Sequence, residues 1–538
     1  MCRIAGFASL DELSQRHERL DSMLKVVAHG GPDDVGTYID GQVALGHRRL
    51  SIIDLSAAGH QPMALDDDLI ITYNGEIYNY LELKRELDVE DVVKTQSDTE
   101  IILQAYRRWG TAAFDRFEGI FAFVLYDKQK KKIFLVRDHL GVKPLYYYLS
   151  DKLMVFGSEV RVFREFDQGW RQNENWKILF LAFGSIPHPC TTLEDVFQLQ
   201  AGYFIQIDTT DFSNRVSKYS RLDEVIGSTD DIDLVKVRNR VQEAIKKNLI
   251  SDAPLGVFLS GGIDSSLVTL LADQFKQDIK TLSINFEEAI FDESAYQTKV
   301  LEKTKSARHT ICRVDETMFW ESLPDIWNAM DQPTIDGVNT YFVSKCAHLE
   351  GLKAVLSGLG ADEMFGGYAS FKRIKWIKRL RKLPFKRAIA KMLSLINSSY
   401  ARLGYLELAG PVGDYLFLRG IHIPGTIAAL LNTNENNVWR VLKEMRVDWR
   451  AADDDRTYAS QLEVKFYMTN QLLKDTDCMS MWHALEVRVP FLDITLLRLA
   501  ESIPPAQKHN DSAPKYLLTK PFADLLPREI VFRLKKGF

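Results

Sequence analysis

Cys2 stands directly behind the initiator methionine. Removal of Met1 leaves a cysteine carrying its own α-amino group, whose ordinary pKa is about 7.7–8.0. Part of that amine is unprotonated near neutral pH, so nucleophile and base sit on one residue. Tyr73-Asn74-Gly75-Glu76 follows an apolar segment. Asn-Gly is the strongest short hairpin signal, but the Asn74 amide and Gly75 N–H can also form an oxyanion hole, each donor worth about 10²–10³ in rate. Glu76 would then hold a substrate ammonium. Ser97-Asp98-Thr99-Glu100 reads as a capping box of Ser97 and Glu100, which leaves the Asp98 carboxylate available at a helix start. Arg48 and Arg49 are either two solvated charges or the source of one carboxylate clamp.

A second group begins at Pro254-Leu255-Gly256-Val257-Phe258-Leu259-Ser260-Gly261-Gly262-Ile263-Asp264-Ser265-Ser266. An apolar strand ends in Ser-Gly-Gly and a helix starts at Asp264 or Ser265. Unpaired N–H groups of a glycine loop at a helix start cradle phosphate. The spacing is not that of GxxxxGK[ST]. Ser357-Gly358-Leu359-Gly360-Ala361-Asp362-Glu363-Met364-Phe365-Gly366-Gly367-Tyr368 follows another buried strand. Asp264 and Asp362 are either solvated loop acids or a carboxylate pair for a Mg²⁺ ion that keeps phosphate oxygens in its shell.

Strands and helices must position these groups. Leu69–Tyr73, Ile120–Tyr126, Ile133–Val136 and Leu153–Phe156 are short apolar runs between turn residues, which predicts a β-rich first half. Two helices interrupt it, one with Leu10, Leu13, Leu20, Leu24 and Val27 near helical spacing and one from Ser97 to Gly110. Past a polar stretch at 208–233 the pattern alternates: helix at Asp233–Asn248, strand at Leu255–Leu259, helix at Ser265–Phe275, strands at Ile279–Ile284 and Lys353–Leu356. That rhythm predicts a parallel sheet wrapped by helices. The expected class is α/β in two domains, residues 1–215 and 216–538, and beyond Ser370 the chain turns mostly helical.

Composition excludes several classes. The net charge of −5 over 538 residues, with 46% hydrophobic and 26% charged residues, makes no demand for nucleic acid. Five scattered cysteines (Cys2, Cys190, Cys312, Cys346, Cys478) argue against a disulfide framework and for a reducing compartment. No apolar run is long enough to span a bilayer, and Asp11, Glu12 and Arg16 interrupt any signal-peptide core. The expectation is cytoplasmic, with small-molecule partners.

In order, Cys2…Ile4-Ala5-Gly6, His29…Gly31-Pro32-Asp33-Asp34, His47-Arg48-Arg49-Leu50-Ser51-Ile52-Ile53-Asp54, Gln61-Pro62-Met63, Tyr73–Asn79 and Ser97–Glu100 resemble the glutaminase domain of glutamine-hydrolysing asparagine synthetases. The resemblance implies an N-terminal-nucleophile αββα sandwich. It makes Cys2 the nucleophile and Asn74 with Gly75 the oxyanion hole. Arg49 would bind the glutamine α-carboxylate, and Glu76 and Asp98 its amino and amide ends. Arg3 and Gly30 depart from the family, which usually has glycine and arginine there. Arg3 would either crowd the site or lower the thiol pKa.

The second half resembles the ATP-pyrophosphatase domain of the same family, which releases pyrophosphate and leaves an acyl-adenylate. ATP would lie on Leu259, Ser260, Gly261, Gly262, Asp264, Ser265 and Ser266, with the backbone near Ile284, Ser357 and Gly358 around adenine and ribose. Asp264 and Asp362 would hold Mg²⁺. Arg488-Val489-Pro490-Phe491-Leu492-Asp493 and Pro514-Lys515-Tyr516-Leu517-Leu518 also match, and Lys515 would stabilise charge on the activated carboxylate and pyrophosphate.

By the resemblance the substrates are glutamine, ATP and a carboxylate acceptor, aspartate in most members, and a homodimer is compatible with it. Leu359 stands where asparagine-forming members usually have a glutamate. Either Glu363 substitutes as proton acceptor, or a different carboxylate is amidated. Asp331–Tyr341 also differs from aspartate-specific members. Both features look like paralogues encoded beside surface-polysaccharide genes, some of which are thought to make uronamides. Two other readings stand beside the coupled enzyme: an ammonia-dependent synthetase with an impaired glutaminase, from Arg3 and Gly30, and a non-catalytic nucleotide-binding relative, from Leu359. Lys372–Lys391 reads as an amphipathic helix with a solvated basic face, or as a docking face for an anionic nucleotide sugar or membrane surface. Family members continue for tens of residues past the position of Phe538.

Overall fold

A computed structural model describes residues 2–166, 168–222, 232–286, 292–449, 452 and 454–533. The expectations on Met1, on Lys535–Phe538 and on the middle of the 208–233 stretch lie outside these residues.

The first half contains strands β1 (Arg3–Ser9), β2 (Asp34–Asp40), β3 (Val43–Arg49), β4 (Met63–Leu65), β5 (Leu69–Ile77), β6 (Gly119–Asp127), β7 (Lys132–Arg137), β8 (Tyr146–Leu149), β9 (Leu153–Gly157), β10 (Phe197–Gln198), β11 (Tyr203–Asp208) and β12 (Asn214–Lys218). They form two antiparallel six-stranded sheets, ordered β10-β8-β9-β1-β3-β2 and β12-β11-β7-β6-β5-β4. Side-chain alternation builds the layers. Ile4 and Ala8 of β1 meet Ile70 of β5 and Ala122 and Val124 of β6 in a core between the sheets. Ala5 and Phe7 face the opposite way, onto Leu20 and Leu24 of the helix Arg16–Lys25. Ile71, Tyr73, Phe121 and Phe123 pack under Ile101, Ile102 and Ala105 of the helix Asp98–Trp109. The result is the αββα sandwich.

In the second half β13 (Leu255–Phe258), β14 (Lys280–Phe286), β15 (Arg308–Val314), β16 (Ala354–Leu356) and β17 (Glu486–Arg488) form one parallel sheet, ordered β15-β14-β13-β16-β17. The helices Leu234–Asn248 and Ile263–Phe275 cover it, the first capped by Asp233. One core then crosses between the halves: Leu50, Ile52, Tyr78 and Val142 pack with Val257, Leu259, Leu356 and Val489.

Two expectations are corrected here. Cys312 of β15 and Cys346 of the helix Val338–Leu349 are joined as a disulfide, their Cα atoms 6.2 Å apart. Adjacent packing of strand and helix brings together two cysteines 34 residues apart, which spacing alone does not reveal, and it removes cysteine usage as an argument for a reducing compartment. The basic run is also not one helix. It breaks into Ser370–Arg373, Ile374–Trp376 and Ile377–Leu380, and restarts at Lys386 after Pro384. Proline disfavours helix at the preceding residue, and Ile374 and Ile377 are buried while Trp376 stays half-exposed. Among the described residues no helix is long and apolar enough to cross a membrane.

Candidate active site

Cys2 lies just before β1, buried, and its backbone N–H donates to Asn74 Oδ1 at 3.2 Å. Asn74 and Gly75 are not a hairpin turn. They sit inside β5, with Gly75 paired opposite Phe121 of β6. Gly75 has φ +150°, and a Cβ there would lie 2.1 Å from the Ile120 carbonyl oxygen, so the close strand pairing demands glycine. With Oδ1 engaged, Asn74 Nδ2 is buried and has no hydrogen-bond partner among the described residues. A buried donor of this kind is suited to an oxyanion. Burial raises the Cys2 thiol pKa, Arg49 pulls it back and Glu76 adds to the rise, so both charges lie close enough to act on the thiol.

Arg49 is clamped by the carbonyls of Ser56, at 2.8 Å, and Asp54. Asp98 accepts from Ile77 N–H and Tyr73 Oη, both at 2.8 Å, and burial pushes its pKa up to about 6. Glu76 is buried, and burial followed by Asp98 and Glu486 raises its pKa well above the carboxylate range. It is a buried acid that a cationic group would relieve. Arg488 of β17 approaches it to 3.6 Å from the other half of the chain. The capping box is only half formed. Ser97 Oγ accepts from Thr99 N–H, whereas Glu100 takes the N–H groups of Lys94 and Thr95.

Arg3 is not among the leading influences on the Cys2 thiol, and its charge is taken by two carboxylates. The alternation of β1 turns it away, and it is fully buried against Asp477 at 2.7 Å and Glu159 at 2.7 Å. Asp477 also takes Lys143 at 3.1 Å. Burial would raise both acids, but Arg3 with Lys143 on Asp477, and His29 with Arg3 and Arg161 on Glu159, more than offset it. Gly30 explains the arrangement: a Cβ there would lie 2.7 Å from Arg3 Cγ. The two departures from the family are therefore one exchange, with the guanidinium supplied from position 3 into space that a side chain at 30 would occupy. Gly30 has no positive φ, so only space forbids a side chain. Arg3→Gly should destabilise the protein by about 3–5 kcal/mol, because it strands buried carboxylates. Gly30→Arg alone should destabilise by clashing. The double variant should recover most of the denaturation midpoint, and midpoints that simply add would refute the shared-space account.

In the second site Gly262 caps the helix Ile263–Phe275, and Gly261 has φ +76°. Ser260 and Ser265 hydroxyls meet at 3.0 Å and brace the loop. A Cβ on Gly358 would lie 2.8 Å from Asp264 Cβ, so the two motif loops touch only because glycine stands there. Lys515 Nζ bridges Asp264 and Asp362, the latter at 2.7 Å. Burial pulls its pKa down, but the two carboxylates outweigh this and hold it above the usual lysine range. A Cβ on Gly367 would fall 1.7 Å from Asp362 Oδ1. The two carboxylates thus reach one common point, a donor set suited to a hard divalent cation that takes phosphate and water for its remaining ligands. Among the described residues no cluster of three His, Cys, Asp or Glu could hold a metal by itself.

Glu363 accepts from Tyr368 Oη at 2.6 Å, and burial pushes its pKa up to about 7. Leu359, an apolar neighbour of the main core, carries no proton-transfer group. Ile284 lies in the second half of β14, and Ser357 directly follows β16. Arg533 was not legible as a site residue. It pairs with Glu293 at 2.7 Å and stands 3.7 Å from where a Gly262 Cβ would be, within reach of an anion on the loop. Its only signal was a basic residue near the chain end.

The family model of the glutamine amidotransferase domain matches residues 1–220, and that of asparagine synthase matches residues 236–538. Asparagine synthetase [glutamine-hydrolyzing] 1 of Bacillus subtilis is 30% identical over 554 residues, covering 100% of this chain and 87% of that protein. The chain belongs to the glutamine-hydrolysing asparagine synthetase family. A putative asparagine synthetase [glutamine-hydrolyzing] 2 of Methanocaldococcus jannaschii is 36% identical across 73% of this chain and 81% of its own. A family member named Amidase chry2, from Gibberella zeae, is 26% identical across 97% of this chain and 84% of its own. The chain is a glutamine-hydrolysing ligase by this membership.

Proposed function

We infer that the chain couples glutamine hydrolysis to ATP-driven amidation of a carboxylate, with residues 1–215 as glutaminase and 216–538 as synthetase. The Cys2 thiolate attacks the glutamine amide carbonyl, and its α-amine carries the proton to the departing ammonia. Asn74 Nδ2 and the Gly75 N–H hold the oxyanion, while Arg49 and Glu76 hold the α-carboxylate and ammonium and Asp98 the amide end. Water then releases glutamate from the thioester. In the synthetase half an acceptor carboxylate oxygen attacks the α-phosphorus of ATP, pyrophosphate leaves, and ammonia displaces AMP from the acyl carbon with loss of one proton. Lys515 offsets charge on the phosphates, the glycine loop and Ser260, Ser265 and Ser266 hold them, and Mg²⁺ on Asp264 and Asp362 would neutralise them further. ATP and glutamine as substrates place the reaction in the cytoplasm.

The observation that carries coupling is the buried charge shared across the halves at Cys2: its neighbour Arg3 pairs with Asp477, and Arg488 approaches Glu76. Such pairs hold the two halves as one folded unit, with the Glu76 carboxylate of the first half beside Arg488 of the second. Amide-labelled glutamine, ATP and Mg²⁺ with a panel of carboxylates test the reading. Label in the acceptor amide with AMP formed supports it, and ADP in place of AMP overturns it.

Glu363 is the proton acceptor for ammonia in place of the family glutamate. A base must be unprotonated, so with a pKa near 7 the ammonia-dependent rate, corrected for the ammonia fraction, should rise through about pH 7 and then level. Glu363→Gln should remove that limb and lower kcat by about 10²–10⁴. An unchanged profile would return the role to another group.

A further inference from the structure

The stretch between Glu363 and Glu407 carries eleven lysines and arginines and no acid. Acids outside it take three of these cations: Asp455 pairs with Lys378, Asp414 with Arg381 and Glu407 with Arg387. Lys375, Lys382 and Lys391 are exposed to solvent, and the segment keeps a strong positive surplus.

Within it the helix Lys386–Ser394 has two apolar sides. Ile389, Ala390 and Leu393 pack inward, on a core that also holds Leu403, Tyr405 and Trp439. Ala388, Met392 and Leu395 follow helical spacing on another side, and Ile396 stands four residues beyond Met392. Met392 is 62%, Leu395 87% and Ile396 80% exposed, and Phe385, at the N-terminal end of the helix, is 81% exposed. Large apolar side chains clustered in water mark an interaction site.

We propose that this surface, Phe385 to Ile396 with the cations around it, docks the enzyme on an anionic lipid bilayer. A bilayer meets both features at once, with anionic head groups for the cations and an acyl boundary for the apolar side chains. Phe385, Leu395 and Ile396 stand clear of their neighbours, as insertion between head groups requires. The contact is peripheral: nine helical residues extend about 14 Å, under half of a hydrocarbon core of about 30 Å. A second copy of the chain is a poorer occupant, because it brings the same eleven cations against these. Nucleic acid would satisfy the cations but leave the aliphatic side chains in water. The adenylation loop ends at Tyr368 and runs straight into this segment, so docking sets that half of the enzyme at the bilayer. The inference stands on the surface alone and is independent of which carboxylate is amidated.

Co-sedimentation of the full chain with phosphatidylcholine vesicles, with and without phosphatidylglycerol, tests this. Affinity about 10² higher for the anionic vesicles is expected, falling as salt rises. Lys375→Glu, Lys382→Glu and Lys391→Glu together should abolish it. Phe385→Ser, Leu395→Ser and Ile396→Ser together should weaken it about ten-fold or more at unchanged charge. All six side chains are exposed, so both variants should keep the parent's melting temperature. Equal affinity for the two vesicles, or none for either, overturns the proposal. Binding untouched in the serine variant reduces the contact to adsorption by charge and overturns it as well. Tighter binding to poly-glutamate than to vesicles overturns it in favour of an acidic protein. A parent oligomer that the serine variant dissociates overturns it in favour of a second copy.

Discussion

Cys2→Ala should reduce glutamine-driven amide formation by about 10³ or more while ammonia-driven formation persists. The two rates part because the thiol touches only the nitrogen donor. Cys2 is small and buried, and its backbone N–H, which holds Asn74, survives the substitution, so alanine removes the nucleophile without disturbing the oxyanion donors. The measurement is label transfer from amide-labelled glutamine beside ammonium-dependent AMP release. Retained glutamine use would mean that another group attacks the amide. Loss of both activities with an unchanged melting temperature would place Cys2 in the synthetase step instead.

Lys515→Met should cut AMP and pyrophosphate formation by about 10²–10³, the usual consequence of losing one preorganised charge at a developing anion. Lys515 holds both Asp264 and Asp362, so its loss leaves two carboxylates facing one point without their shared cation. Mg²⁺ should therefore raise the melting temperature of Lys515→Met more than that of the parent, since binding to the folded state alone stabilises it. Equal Mg²⁺ shifts in the two proteins would show that the carboxylates are not the metal ligands, and undiminished AMP formation would remove Lys515 from the chemistry. Glutamine hydrolysis in the variant provides the check that the first domain is intact.

The β-rich first half and the parallel sheet were legible because short apolar runs, turn residues and the strand–helix rhythm are carried by neighbouring residues themselves, whereas the sandwich followed only from the family resemblance. The glycine loop was legible for the same reason: Ser260 to Ser266 is one strand-to-helix turn. Ser97 was recognised as a cap, but its partner was not. Glu100 bonds Lys94 and Thr95 because the preceding chain folds back over the helix start.

Residue order thus determined the class of fold, the two motif loops and the placement of a cysteine behind the initiator methionine, all local properties. Tertiary structure decided what depends on distant neighbours. Arg3 and Asp477 are 474 residues apart, and only their meeting turns two apparent defects at positions 3 and 30 into one buried ion pair. Burial decided the proton affinity of Glu363 and Glu76, since desolvation and nearby charge are set by everything packed around a group. Asn74-Gly75 has the sequence of a turn and lies in a strand, because pairing with β6 supplies more hydrogen bonds than a two-residue turn could.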